Sequence, residues 1–207
     1  MDLEKAEIKT FLEGKKNNDF IVNKKAKILI SGDIFDAQPL LKSLYKTKDK
    51  KTFGKNFSSE LEIKLNKIFT GTEDTISDFS MMAKITKGSY NKLNLKGNFS
   101  KNEIIEMSIY KINENKKTLQ IVSDRARPFI KHFDFIKGFE GGKLFYESTI
   151  LKNLANSNLQ ITDFKVSKVP ALAQLLSLAS LQGIADTLSG EGIRFESFEM
   201  KSSSKNN

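Results

Sequence analysis

The residues of this chain that could do chemistry are few. The single histidine, His132, sits in Arg127-Pro128-Phe129-Ile130-Lys131-His132-Phe133. An imidazole can serve as a base near neutral pH. Here it has no cysteine and no recognisable Ser or carboxylate motif to work with, and its place at the end of a short predicted helix suits a charge facing the helix C-terminus. Gly32-Asp33-Ile34-Phe35-Asp36 brings two carboxylates close in sequence, but the third and fourth acidic ligands of a calcium loop are missing. That segment reads as a turn followed by a helix cap. Gly138-Phe139-Glu140-Gly141-Gly142-Lys143 has the glycines of a phosphate loop without its spacing, lacks Ser or Thr after the Lys, and leads into a strand. It reads as a β-turn. With no Cys, there can be no disulfide, thiolate zinc site or thiol nucleophile. No catalytic residue, metal or cofactor is expected.

The formal charge of +9 points toward nucleic acid. Composition argues against it: Arg125, Arg127 and Arg194 are the only arginines, and bidentate recognition of phosphate and guanine favours Arg. The lysines are interleaved with Glu and Asp, in a chain rich in Asn, Ile and Phe, as an AT-rich genome would produce. No nucleic-acid partner is expected. At 39% hydrophobic and 29% charged, the 207 residues can build an apolar core and form one domain or one slab of a larger repetitive structure. Met1 to Gly14 is charged and alternating, unlike a targeting signal, and no stretch approaches the roughly 20 apolar residues of a membrane span. The chain is therefore either cytosolic or an internal portion whose anchor lies elsewhere.

The elements that would position any site follow a period of two. Leu61, Ile63 and Leu65 alternate with polar residues, as do Phe79, Met81, Ala83 and Ile85. Leu93, Leu95 and Phe99 continue the pattern, then Ile105, Met107 and Ile109, then Leu119 and Ile121. Such strands have one apolar and one wet face. Breaks at Gly71 to Asp74, Lys87 to Ser89, Gly97 to Asn102 and Asn113 to Asn115 carry turn residues, so successive strands should pair as a meander. Further strands are predicted near Glu4 to Leu12, Phe20 to Val22, Ala26 to Ser31, Lys143 to Leu151, Leu159 to Val166 and Ile193 to Met200. Lys201 to Asn207 reads as a disordered tail.

Three helices interrupt the strands. Asp36 to Tyr45 places Leu40, Leu41 and Leu44 on one face, with Asp36 as N-cap. Asp124 to His132 is a short turn capped by Ser123 or Asp124. Pro170 to Leu188 starts on proline, ends before Gly190 and carries Leu172, Leu175, Leu176 and Leu181 in an apolar stripe.

A one-faced sheet must bury that face. The longest helix spans about 28 Å, too little to cover so many strands. Periodicity alone leaves two readings open: an ordinary core, or a groove that holds lipid.

Residues 118–200 resemble the C-terminal region of AsmA-like proteins, especially the large YhdP-type members. The resemblance rests on Ile161-Thr162-Asp163-Phe164-Lys165-Val166, then Val169-Pro170-Ala171-Leu172-Ala173-Gln174-Leu175-Leu176-Ser177, Ser180-Leu181-Gln182-Gly183 and Gly190-Glu191-Gly192-Ile193-Arg194-Phe195. Ser123-Asp124, Gly141-Gly142-Lys143-Leu144 and Gly32-Asp33-Ile34-Phe35-Asp36-Ala37 add looser support. Residues 1–117 read as repeat-like strands of the same 1–200 segment. The resemblance implies a long antiparallel meandering sheet curled into an elongated groove, closed in part by the C-terminal helix. It implies a periplasmic segment attached to the inner membrane through an anchor absent from this chain. Such a segment would shelter phospholipid acyl chains and conduct lipid between inner and outer membranes, meeting membrane components through the parent protein. It carries over no catalytic residue.

On that reading Leu61, Ile63, Leu65, Phe79, Met81, Ala83, Ile85, Leu93, Leu95, Ile105, Met107, Ile109, Leu119 and Ile121 are the lipid-contacting positions. Met81, Met82 and Met107 would add adaptable packing. A rival role is a scaffold that assists outer-membrane protein assembly by strand pairing at open edges.

Overall fold

The computed structural model describes residues 4–46, 54, 56–71, 74–130, 137–152, 154–168 and 192–205. Their fold is mainly β: one eleven-stranded sheet, not closed into a barrel, with two short helices among the described residues. The strands are β1 (Lys5–Leu12), β2 (Lys15–Lys24), β3 (Ile28–Asp36), β4 (Ser59–Phe69), β5 (Thr75–Thr86), β6 (Ser89–Ser100), β7 (Glu103–Asn113), β8 (Lys116–Ser123), β9 (Lys137–Leu151), β10 (Leu154–Lys168) and β11 (Ile193–Lys205). Their spatial order equals their chain order. Every pair is antiparallel except β3 and β4, which run parallel. Helix α1 (Gln38–Lys46) lies in that connection, and a crossover of this kind brings the chain back to enter the next strand in the same direction. The predicted meander therefore holds in order but not in direction at that pair.

Asp36 ends β3, and its Oδ1 accepts the Gln38 N–H at 3.0 Å, so the expected cap of α1 is present. Leu41 packs on the core while Leu40 is exposed, and the side chain of Leu44 lies outside the described residues. Gly32 to Asp36 is strand rather than turn. A Cβ on Gly32 would lie 2.4 Å from the Asp19 carbonyl oxygen, so glycine here permits close backbone approach to β2. Gly97 is likewise inside β6, and only Lys101-Asn102 forms that turn. Lys201 to Lys205, expected to be disordered, extends β11: Met200, Lys201 and Ser202 pair with Leu159, Asn158 and Ser157.

The second helix, α2 (Arg127–Ile130), is capped by neither expected residue. Ser123 Oγ accepts the Arg125 N–H, and Asp124 Oδ2 accepts the Ile104 N–H from β7, both before the helix begins. His132 and the helix expected at Pro170 to Leu188, with Leu172, Leu175, Leu176 and Leu181, lie outside the described residues.

Gly138 to Lys143 is not a turn either; it lies within β9, where Gly141 and Gly142 have positive φ opposite Asp163 of β10, whose φ is 55°. This kink shifts the phase of the alternation. Ile161 and Phe164, three residues apart, reach the same core cluster, as do Leu144 and Phe139. Phe139, Phe164 and Phe195 then stack across three strands with centroids 5.1 and 5.0 Å apart. Asp78 (φ 49°) does the same in β5, so Ile76 and Phe79 are both buried in one cluster. Aspartate tolerates the left-handed region because its short side chain can hydrogen-bond locally.

Candidate functional site

The inward positions of the strands line up across the sheet. Following the cross-strand register, Ala6, Val22, Ile30, Ile63, Met81, Leu95, Met107, Ile121, Tyr146, Leu159 and Met200 form one row through all eleven strands. A second row carries Leu61, Ala83, Leu93, Ile109 and Leu119 and ends in Ser148, Ser157 and Ser202. A side chain every 4.7–4.9 Å across strands makes the first row a nearly unbroken apolar strip, and the second an apolar strip as far as Leu119 on β8.

All fourteen apolar positions singled out in the sequence are buried or half-buried. Leu65, Phe79, Met81, Ala83, Ile85, Leu93 and Ile105 are buried. Leu61, Ile63, Leu95, Met107, Ile109, Leu119 and Ile121 are only half-buried. Met82 departs from expectation. It is 61% exposed on the opposite face, since neighbours in a strand point to opposite sides. There it borders a shallow cavity of about 390 Å³ with Lys96, Glu106, Tyr110 and Val122.

Polar groups bound the apolar face at both ends. Near the β9–β10 turn the Tyr146 hydroxyl donates to Ser157 Oγ at 3.0 Å, and Ser157 Oγ donates to buried Ser148 at 2.9 Å. At the β7–β8 turn, Lys111 and Lys117 face each other directly across the strands. Lys117 Nζ donates to Ser89 Oγ at 2.6 Å, and Lys111 is paired to Glu114 at 2.7 Å. Burial, with Lys111 as a smaller cause, pushes the Lys117 ammonium below its ordinary pKa.

The opposite end is closed by ion pairs that sequence reasoning missed. Asp74 at the start of β5 is 1% exposed and accepts Arg125 Nη1 at 2.8 Å and Arg127 Nε at 3.1 Å. Arg125 also donates to Glu103, which accepts from Ser100 Oγ at 2.8 Å, and its guanidinium lies 5.5 Å from the Phe99 ring centroid. The Arg125 hydrogen bonds hold the Glu103 carboxyl below its ordinary pKa, and the same bonds raise Arg125. Ion-pair partners 22 to 53 residues apart leave no local pattern to find.

The two carboxylates weighed as a metal pair are both occupied in holding strands. Asp33 Oδ1 accepts from Asn66 Nδ2 at 3.1 Å, and Asp36 caps α1. Among the described residues no cluster of His, Asp or Glu could hold a metal ion, and no helix is long and apolar enough to cross a membrane. No family model, curated protein or solved structure matches the chain.

Proposed function

We propose that this chain is a periplasmic β-sheet segment of an AsmA-like envelope protein, sheltering phospholipid acyl chains on its apolar face and conducting them between inner and outer membranes. The observation that supports this reading is the row from Ala6 to Met200. Its middle members Leu95, Met107 and Ile121 are apolar yet only half-buried, so an uninterrupted strip keeps accessible surface. Each methylene moved from water onto such a strip is worth about 0.8 kcal/mol, and no specific polar partner is needed. The segment works as a surface rather than as a catalyst.

The test is native mass spectrometry and lipid extraction of the chain produced in a bacterial envelope. Phospholipid should co-purify with the native chain and be lost from the Leu95→Asn, Met107→Asn variant while β-sheet circular dichroism is retained. A folded, lipid-free native chain would sink the proposal.

A second reading, a scaffold acting by strand pairing, draws on β11. It is thirteen residues long, exposed beyond its first few positions, and has no second partner strand among the described residues. Proline at Ser197 and Glu199 would abolish activity in envelope assembly if the edge is what matters.

A further inference from the structure

We propose that Lys111 and Lys117 form a subsite on the apolar face for the headgroup phosphate of an anionic glycerophospholipid whose acyl chains lie along the adjoining rows. This inference rests on the lipid-holding reading and names the lipid class. The two lysines occupy directly opposite positions on β7 and β8, on the same face as Ile109 and Leu119, which stand two residues further along each strand. That spacing puts the charged pair roughly 7 Å from the first apolar row and roughly 14 Å from the row containing Met107 and Ile121.

Two like charges placed opposite each other on one face of a sheet repel, and the arrangement becomes favourable when an anion lies between them. Internal compensation reaches only one of the two, Lys111. Glu114, the carboxylate on Lys111, is itself 88% exposed, whereas the Lys111 side chain is 24% exposed. Among the described residues Lys117 meets no carboxylate; its ammonium reaches the Ser89 hydroxyl at the β5–β6 turn. The Lys117 side chain is half-buried and its charge reaches across β7 to the turn end, as a long cationic side chain does when it snorkels toward a polar boundary. Its lowered pKa, caused first by burial and then by Lys111, is consistent with a cation held short of counter-charge.

A phosphate carrying a net negative headgroup completes this pair with charge-assisted hydrogen bonds. A zwitterionic headgroup brings its own cation against the lysines and gains less. Free phosphate offers the same charge without chains for the neighbouring rows.

The chain should be equilibrated with vesicles of equal phosphatidylglycerol and phosphatidylcholine, re-isolated, and its bound lipid counted by mass spectrometry. The native chain should hold phosphatidylglycerol in about tenfold excess, the size of one charge-assisted contact. The Lys111→Gln, Lys117→Gln variant should bind as much total lipid with no preference, and Lys111→Arg, Lys117→Arg should keep the preference. Soluble glycerophosphate at the same concentration should not compete. Equal amounts of the two lipids on the native chain, or a preference surviving in the Gln variant, would overturn the subsite and leave the apolar strip standing. Effective competition by glycerophosphate would overturn it in favour of a free-phosphate site. No bound lipid of either class would overturn both this inference and the reading beneath it.

Discussion

Asp74 and Arg125 stand 51 residues apart in the chain and 2.8 Å apart in the fold. Through them the start of β5 is tied to the segment that leaves β8, and Glu103 at the start of β7 joins the same guanidinium. Asp74 is buried, so Asp74→Asn leaves Arg125 and Arg127 facing a neutral amide and should cost about 3 kcal/mol in urea unfolding. Glu103 is 37% exposed, and Glu103→Gln should cost under about 1 kcal/mol. Equal losses at the two positions would refute the assignment of Asp74 as the buried centre of the network.

Glu62 gives the fold an acid-sensitive element. Hydrogen bonds from Lys27 and then Lys64 lower its carboxyl from 4.5 to about 2. A depressed carboxyl stabilises the folded chain above its unfolded pKa and loses that contribution as pH falls toward the folded value. The gap in unfolding midpoint between the native chain and Glu62→Gln should be constant above about pH 5 and close as the pH approaches 2. A gap independent of pH would rule this out.

Adjacent methionines give a direct check of which face is which. Met81 is 9% exposed and Met82 is 61% exposed. Met81→Ser should cost about 2–4 kcal/mol, and Met82→Ser should fall within about 0.5 kcal/mol of the native chain. The reverse order would mean that β5 is out of register by one residue.

Asp163 tests the kink. At a φ of 55°, Asp163→Val should cost about 1–2 kcal/mol, while Asp163→Gly and Asp163→Asn should be close to neutral. Thermal melts of the three variants suffice, and a tolerated valine would show that the backbone there does not need the left-handed region.

Lys117→Met should raise stability by about 0.5–1 kcal/mol at pH 7, because it removes the like charge opposite Lys111. A lysine with a lowered folded pKa destabilises while charged, so the native chain should regain this difference as pH rises toward 10.5. A destabilised methionine variant would indicate that the Ser89 contact outweighs the repulsion.

The alternation of apolar residues was enough to place the fourteen inward positions, because side-chain direction in a strand depends only on parity. Where parity failed, a backbone feature had intervened. Gly97, Gly141 and Gly142 carry the residue type of a turn, yet they sit within strands at close approaches or kinks. Ile161 and Phe164, spaced by three, belong to one face only because Asp163 resets the phase. The parallel pairing of β3 with β4 departs from the antiparallel expectation, because a helical crossover and a hairpin deliver the next strand in opposite directions. The serine polarity at the β9–β10 turn and the Asp74 cluster depend on cross-strand neighbours, which no single segment records.

Because strand order follows chain order without a swap, each strand rests mainly on the two that flank it in sequence. The sheet is then close to a one-dimensional lattice, with cohesion summed over nearest-neighbour interfaces. Growth can start at a central hairpin and spread outward strand by strand. Duplicating or deleting one hairpin would change the length of the apolar strip by a whole repeat without redrawing the rest.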